Sequence, residues 1–143
     1  MDPLQGWPFI LECDVRWGDM DAYAHVNNTV YFRYFEDVRI QLLTATKLDR
    51  SDGPIGGILA DTRCRFKAPV TFPDRVRVGG AVSEIRDDRF RMAYRLVSTR
   101  LGRVAAEGDG LIVGYDYDKL AKAPLPAYAR EVLERSRVPG ESA

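Results

Sequence analysis

The segment R-W-G-D-M-D-A-Y-A-H-V-N-N-T-V-Y-F-R-Y-F-E, Arg16 to Glu36, decides how the rest of the chain is read. It holds the only histidine, His25, two acids one residue apart, Asp19 and Asp21, and the tandem pair Asn27-Asn28. Before it, Leu11, Cys13, Val15 and Trp17 alternate with Glu12, Asp14 and Arg16, the period of a half-buried strand. Gly18 ends that strand. After it the period changes. Tyr31, Tyr34, Phe35, Val38, Leu42 and Leu43 recur at helical spacing, with Arg33, Glu36, Asp37 and Gln41 on the other side. Asn27 or Asn28 is suited to cap the start of this helix. The stretch therefore reads as strand, acidic loop and a helix whose wide aromatic face embeds against a sheet.

Downstream, Asp52-Gly53-Pro54 breaks the chain and Gly56-Gly57 opens the next element. From Ile58 to Phe66 alternation returns, with Ile58, Ala60, Thr62, Cys64 and Phe66 expected inside and Asp61, Arg63 and Arg65 outside. Pro69 and Pro73 interrupt, and Arg75 to Val78 resumes the strand pattern. Asp87-Asp88 marks a tight turn. Phe90, Met92, Tyr94 and Leu96 then share one face, and Gly102 marks a second hairpin. Val104 to Tyr117 is a long last strand. Gly108, Gly110 and Gly114 share one of its faces, a flat patch on which a thick aromatic helix can lie. Tyr128 to Ser136 predicts a short C-terminal helix, and residues 137 to 143 a loose tail. One helix followed by consecutive hairpin-spaced strands specifies an α+β fold with a five-stranded antiparallel sheet, not βαβ repeats.

The totals bound the function. A chain of 143 residues has the size of one domain and buries roughly 70% of its unfolded surface. Lys+Arg and Asp+Glu balance at 21 each, which gives no reason to expect nucleic acid or an acidic membrane surface. Two cysteines, Cys13 and Cys64, with one histidine fall short of a zinc cluster, so they are expected as reduced, partly buried thiols. The N-terminal residues lack a basic segment followed by an apolar run, and no apolar stretch reaches the roughly 20 residues that span a bilayer. A cytoplasmic location is expected.

The loop and helix wording, G-D-M-D-A-Y-A-H-V-N-N-T-V-Y-F-R-Y-F-E, resembles the signature of the 4-hydroxybenzoyl-CoA thioesterase family. Its M-D-x-x-x-H-V-N-N-x-x-Y core is closest to bacterial long-chain acyl-CoA thioesterases, and plant acyl-carrier-protein thioesterases have a similar segment. The span R-F-K-A-P-V-T-F-P-D-R-V, Arg65 to Val76, resembles the second and third strands of that family. The likeness covers roughly residues 10 to 118. It implies the hotdog fold, a sheet wrapped around a long central helix, as a single domain over residues 1–143 with a C-terminal helix near 126–137. It implies hydrolysis of an acyl-CoA thioester, with coenzyme A entering as part of the substrate and no metal or bound cofactor. Two subunits would pair their sheets edge to edge, as a homodimer or a homotetramer with active sites at the subunit interface. The chain departs from the founding hydroxybenzoyl enzymes at Ala22-Tyr23-Ala24, where those have Pro-Ala-Gly.

By this resemblance Asp21 matches the catalytic carboxylate, and Asn28 the position whose backbone N–H meets the thioester carbonyl. The chemistry is consistent with that. A thiolate leaves easily, so a carboxylate nucleophile or base and a site for the oxyanion are what hydrolysis needs. A helix start supplies the second through main-chain N–H groups. Each residue also has a plainer reading. Asp21 can cap its own loop, and Asp19, two positions away, competes with it or serves the turn. His25 either orients Asp21 and contacts the thioester or braces the loop. Asn27 and Asn28 are caps and loop locks as well as site residues. Tyr31 and Tyr34 either line the acyl pocket or pack the core. Glu36 lies roughly 12 Å along the helix from Asn28, too far to share an oxyanion at its own helix start. The outer basic residues Arg63, Arg65, Lys67, Arg75, Arg77, Arg89, Arg91 and Arg95 either meet the phosphates of coenzyme A or form a solvated sheet face. A hydratase or dehydratase acting on acyl thioesters, using Asp21 and His25, and a non-catalytic acyl-CoA-binding module are the alternatives.

Overall fold

Asn27 starts the element around which everything else is arranged. Its backbone is extended (φ −61°, ψ 142°) and its side chain accepts the Thr29 N–H at 2.9 Å, which satisfies one of the orphan donors of a helix start. Helix α1 then runs Asn28–Ala45 in a computed structural model that describes residues 1–140. It buries Tyr31, Tyr34, Phe35, Val38 and Leu42 of the expected stripe, with Leu43 half-buried, and also Arg39. No helix among the described residues is long and apolar enough to cross a membrane.

The strands are β1 (Phe9–Asp14), β2 (Ile55–Phe66), β3 (Arg75–Ile85), β4 (Arg89–Ser98), β5 (Arg103–Asp116) and β6 (Ala121–Lys122), followed by helix α2 (Ala127–Glu134). All pairings are antiparallel, in the order β1-β3-β4-β5-β2, with β6 beside the end of β5. The sheet thus has a sixth, two-residue strand beyond the five expected. The sheet's inner face receives α1. Phe90, Met92, Tyr94 and Leu96 are all buried there, as their alternation predicts. Tyr94 stacks on Phe35 with ring centroids 4.8 Å apart. The flat glycine patch is real at Gly108, where a Cβ would stand 2.6 Å from the Phe35 ring. Gly110 instead faces the Tyr94 hydroxyl and Leu59, and Gly114 the 123–125 segment.

Three boundaries differ from expectation. Strand β1 stops at Asp14 rather than Trp17, because residues 17–19 turn into a 3₁₀ helix that leaves Trp17 73% exposed. In β2 a bulge between Leu59 and Asp61 shifts the register against β5. One extra residue reverses the side-chain alternation. Thr62, Cys64 and Phe66 keep the inner face, Leu59 joins them in place of Ile58, and Ala60 is the bulged residue. The C-terminal helix is shorter than 126–137, and the segment after it is not loose throughout. Val138 N–H donates to the Val82 carbonyl at 3.0 Å and Arg137 bridges to β3. Residues 141–143 lie outside the described residues.

The outer face of the sheet carries a second small core. Leu4 and Trp7 pack on Ala81 and Val97, and Gly79 makes room, since a Cβ there would stand 2.6 Å from Leu4. Arg95 lies over the Trp7 ring, 5.0 Å from its centroid. The N-terminal segment is therefore strapped to the sheet's back, leaving the loop before α1 on the other side.

Candidate active site

The loop from Arg16 to Asn27 is folded by its two acids. Asp19 is 6% exposed. Its carboxylate accepts the Arg16 N–H at 2.9 Å, the Tyr34 hydroxyl at 3.0 Å and Arg33 Nη2 at 2.7 Å. Its carbonyl accepts the Asn27 N–H at 2.9 Å. Burial raises the pKa of Asp19, but these bonds outweigh it and hold the carboxyl below its ordinary value. The Tyr34 phenol is pushed far up by burial and by its bond to Asp19. Asp19 is thus the turn residue, and it also ties the loop to the second turn of α1.

Asp21 has the opposite environment. It is exposed, and its Oδ1 accepts the Tyr23 N–H at 2.8 Å in an Asx turn. Its Oδ2 accepts no hydrogen bond among the described residues. The Asp21 N–H donates to the His25 carbonyl at 3.0 Å and Ala24 N–H to the Asp21 carbonyl at 3.0 Å, closing a tight loop with Ala24 at φ +62°. His25 braces this loop through its main chain, and its imidazole makes no hydrogen bond among the described residues.

At the helix start, the Asn27 side chain takes the Thr29 N–H and the Asn27 carbonyl takes the Val30 N–H at 2.9 Å. The Asn28 N–H has no partner among the described residues. Asp21, His25, Asn28 and Tyr31 line a single cavity of about 390 Å³, with Val26, Phe66, Lys67, Ala68 and Pro69. The Tyr31 and Phe66 rings meet edge to face at 5.0 Å, giving the cavity an apolar wall. The structure therefore brings together four of the six residues singled out in the sequence. Asn27 stands behind them as the cap. Tyr34 is elsewhere: buried, bonded to Asp19, and on a separate cavity with Cys13, Asp14, Arg16, Arg33 and Asp37. Phe66, Lys67 and Pro69 are lining residues that only the β2 edge and the following turn bring to the helix start.

Other candidates are accounted for. Glu36 is exposed, stands 3.9 Å from Arg39, and does not line the cavity that holds Asp21. Cys13 and Cys64 are free and half-buried, and burial pushes the Cys64 thiol to about 11. No group of three or more His, Cys, Asp and Glu side chains among the described residues could hold a metal ion. Seven of the eight outer basic residues are paired with acids. Arg63 and Arg91 meet Asp109, Lys67 and Arg95 meet Glu107, Arg75 meets Glu12 and Asp14, Arg77 meets Asp2, and Arg89 meets Asp88. Arg65 has no such partner among the described residues.

A sheet wrapped on one long helix, with an acidic loop delivering a carboxylate to that helix's start, defines a hotdog-fold thioester hydrolase. The chain belongs to the thioesterase-like superfamily, whose family model matches residues 15–134. Solved structures agree. A thioesterase from Thermus thermophilus, solved with coenzyme A and zinc, is 29% identical and superposes with a TM-score of 0.80 over 92% of this chain and 95% of its own. A gentisyl-coenzyme A thioesterase is 27% identical, with a TM-score of 0.76 over 87% and 98%. A Pseudomonas aeruginosa protein is 25% identical, with a TM-score of 0.83 over 94% and 95%.

Proposed function

We propose that the chain hydrolyses an acyl-CoA thioester in the cavity at the start of α1. The observation that carries this reading is the pairing, on one cavity wall, of a carboxylate with a free oxygen and an unpartnered helix N–H. Asp21 Oδ2 is the nucleophile or the base that activates water. Its other oxygen, held by the Tyr23 N–H, fixes the carboxylate's direction. The Asn28 N–H, aided by the helix dipole, takes the carbonyl oxygen as charge develops on it. His25 lies on the same cavity and contacts the thioester from the loop side. The Tyr31–Phe66 wall receives the first carbons of the acyl group. Because a thiolate leaves readily, no group is needed to protonate it.

The long edge of β2 supports an assembly. It lies at the rim of the sheet, and Ile58, Leu59 and Phe66 are 41%, 39% and 48% exposed. The edge is covered only at its start, where the Gly57 N–H donates to the Leu48 carbonyl at 3.0 Å, and the rest of its length is a template for a second strand. A second copy of the chain pairs there in the proposed homodimer, placing its surface beside the Asp21 cavity.

The test is thiol release from aryl-, short-, medium- and long-chain acyl-CoA thioesters. The reading predicts release from at least one of these classes. No release from any of them, with the protein folded, overturns it.

A further inference from the structure

The turn after β2 forms one wall of the Asp21 cavity through Lys67, Ala68 and Pro69. Its main chain is tied on two sides. The Lys67 and Ala68 N–H groups both donate to the Ala105 carbonyl, at 2.8 and 3.1 Å. Ala105 is the extra residue where β5 bulges against β4, and a bulged residue drops out of the ladder. On the other side, the Val70 carbonyl accepts the Val26 N–H at 2.8 Å. Val26 stands between His25, whose carbonyl holds the Asp21 N–H at 3.0 Å, and Asn27, the cap that starts the helix at Asn28. A shift of the turn is therefore passed to both the Asp21 loop and the helix start.

The Lys67 side chain adds a third tie. Its ammonium pairs with Glu107 Oε1 and holds that carboxyl below its ordinary value, so the pair stays charged at neutral pH. In the register of β2 on β5, Glu107 stands opposite Arg65, not Lys67. Directly opposed residues are the usual cross-strand partners. Yet Arg65 has no acid partner among the described residues, and Glu107 turns to the lysine beyond the strand's end. Its other oxygen, Oε2, accepts from Arg95 Nε at 3.1 Å. Arg95 is fixed in turn, because Nη1 donates to the Pro3 carbonyl at 3.0 Å and the guanidinium lies over the Trp7 ring. A lone half-exposed ion pair contributes little. Here one carboxylate is held between two cations, and one of these is anchored to the N-terminal segment.

We propose that Lys67 is a positioning residue for the Asp21 site, and that the line Trp7, Arg95, Glu107, Lys67 carries the placement of the N-terminal segment to the cavity wall. This rests on the thioester-hydrolase reading above and adds a residue that acts through the turn. The line runs within one chain, so it operates whether or not a second copy covers the β2 edge. Arg65 separates this role from stability. When Lys67 loses its charge, Arg65 stands opposite Glu107 to take the freed oxygen, so the sheet keeps its ion pairs and only the turn loses its tie.

His25 supplies the readout. It is the only histidine and lies on the cavity, so its ring protons give one set of NMR signals. The experiment compares wild type, Lys67→Met, Lys67→Arg, Arg95→Met and the Lys67→Met/Arg95→Met double variant. The His25 signals and the melting temperature are recorded for each. Rates are taken with whichever of benzoyl-, butanoyl-, octanoyl- and palmitoyl-CoA the wild type hydrolyses fastest. Lys67→Met should shift the His25 signals and lower kcat about tenfold, as slight misplacement of reacting groups does, with KM within about twofold and melting within about 2 °C of wild type. Lys67→Arg, which still reaches Glu107, should recover most of the rate. Arg95→Met keeps a stem beneath which Trp7 packs, and it should shift the His25 signals in the same direction. The double variant should lose no more than the worse single, as expected for one shared line. Unchanged His25 signals and kcat in Lys67→Met overturn the proposal, and so do additive losses in the double variant. A wild type that releases no thiol overturns the hydrolase reading instead, and the His25 signals of the same variants then decide the proposal alone.

Discussion

The two acids of Gly18-Asp19-Met20-Asp21 sit two residues apart in one loop and have opposite fates. Asp19 is buried and held on both oxygens: one main-chain N–H, one phenol and one guanidinium converge on it. Asp21 is exposed and lines a cavity beside a helix start, with one oxygen spent on the turn and the other accepting no hydrogen bond among the described residues. The difference teaches how a short loop separates holding from reacting. A buried carboxylate with both oxygens engaged stabilises structure and has no free oxygen to give a substrate. A carboxylate with a free oxygen contributes little to the fold and remains available for chemistry.

That division can be broken experimentally. The largest effect belongs to Asp21→Asn, which keeps the Asx turn but removes the proposed nucleophile or base. Turnover should fall by roughly 10²–10⁴-fold, read as thiol release. Asp19→Ala comes next, and its effect is on stability. It strips the buried Tyr34 hydroxyl of its acceptor and frees Arg33, costing about 1–3 kcal/mol. A melting temperature lowered by roughly 3–10 °C should show it.

Acid should sharpen the contrast further. The folded Asp19 carboxyl titrates below its ordinary value. Its stabilising contribution is therefore complete above the unfolded value near 4 and is lost as pH falls through the lower folded value. Melting followed from pH 6 to 3 should fall more steeply for the wild type than for Asp19→Asn. The smallest effect is at Ala24, which holds φ +62° in the Asp21 half of the loop. A glycine there relieves roughly 1 kcal/mol of left-handed strain, offset by its greater unfolded-state freedom. Ala24→Gly should leave the melting temperature unchanged or raise it by a few degrees.

The sequence made the inner architecture legible because its signals are local. Asn27 before an aromatic stripe marks the helix start, and Phe90, Met92, Tyr94 and Leu96 mark a buried strand face by simple alternation. The features it left hidden depend on distant partners. A bulge at Ala60 inserts one ordinary residue and leaves no mark in composition, yet it reverses which side chains face the helix. Arg39 carries no signal in the helical pattern, and its burial depends on Tyr94, 55 positions away, as its partner. Leu4 and Trp7 have no periodicity of their own, and only the space above Gly79 explains their burial. Within the site, Asp21, His25, Asn28 and Tyr31 follow from the motif, whereas Lys67 and Pro69 arrive through the turn after β2. Tyr34 shares the helical stripe with Tyr31 but is drawn to Asp19, a choice that helical spacing alone does not make.

The most direct test sets Asp21→Asn and Asp19→Asn side by side, with thiol release and thermal melting measured on the same preparations. The account predicts a crossed pattern. Asp21→Asn loses at least a hundredfold in turnover and melts within about 2 °C of wild type, as expected for an exposed substitution that leaves the fold intact. Asp19→Asn melts several degrees lower and keeps most of its turnover below that transition. Near-normal turnover in Asp21→Asn, with the loss of rate falling on Asp19→Asn instead, would contradict the assignment of chemistry and support within this loop.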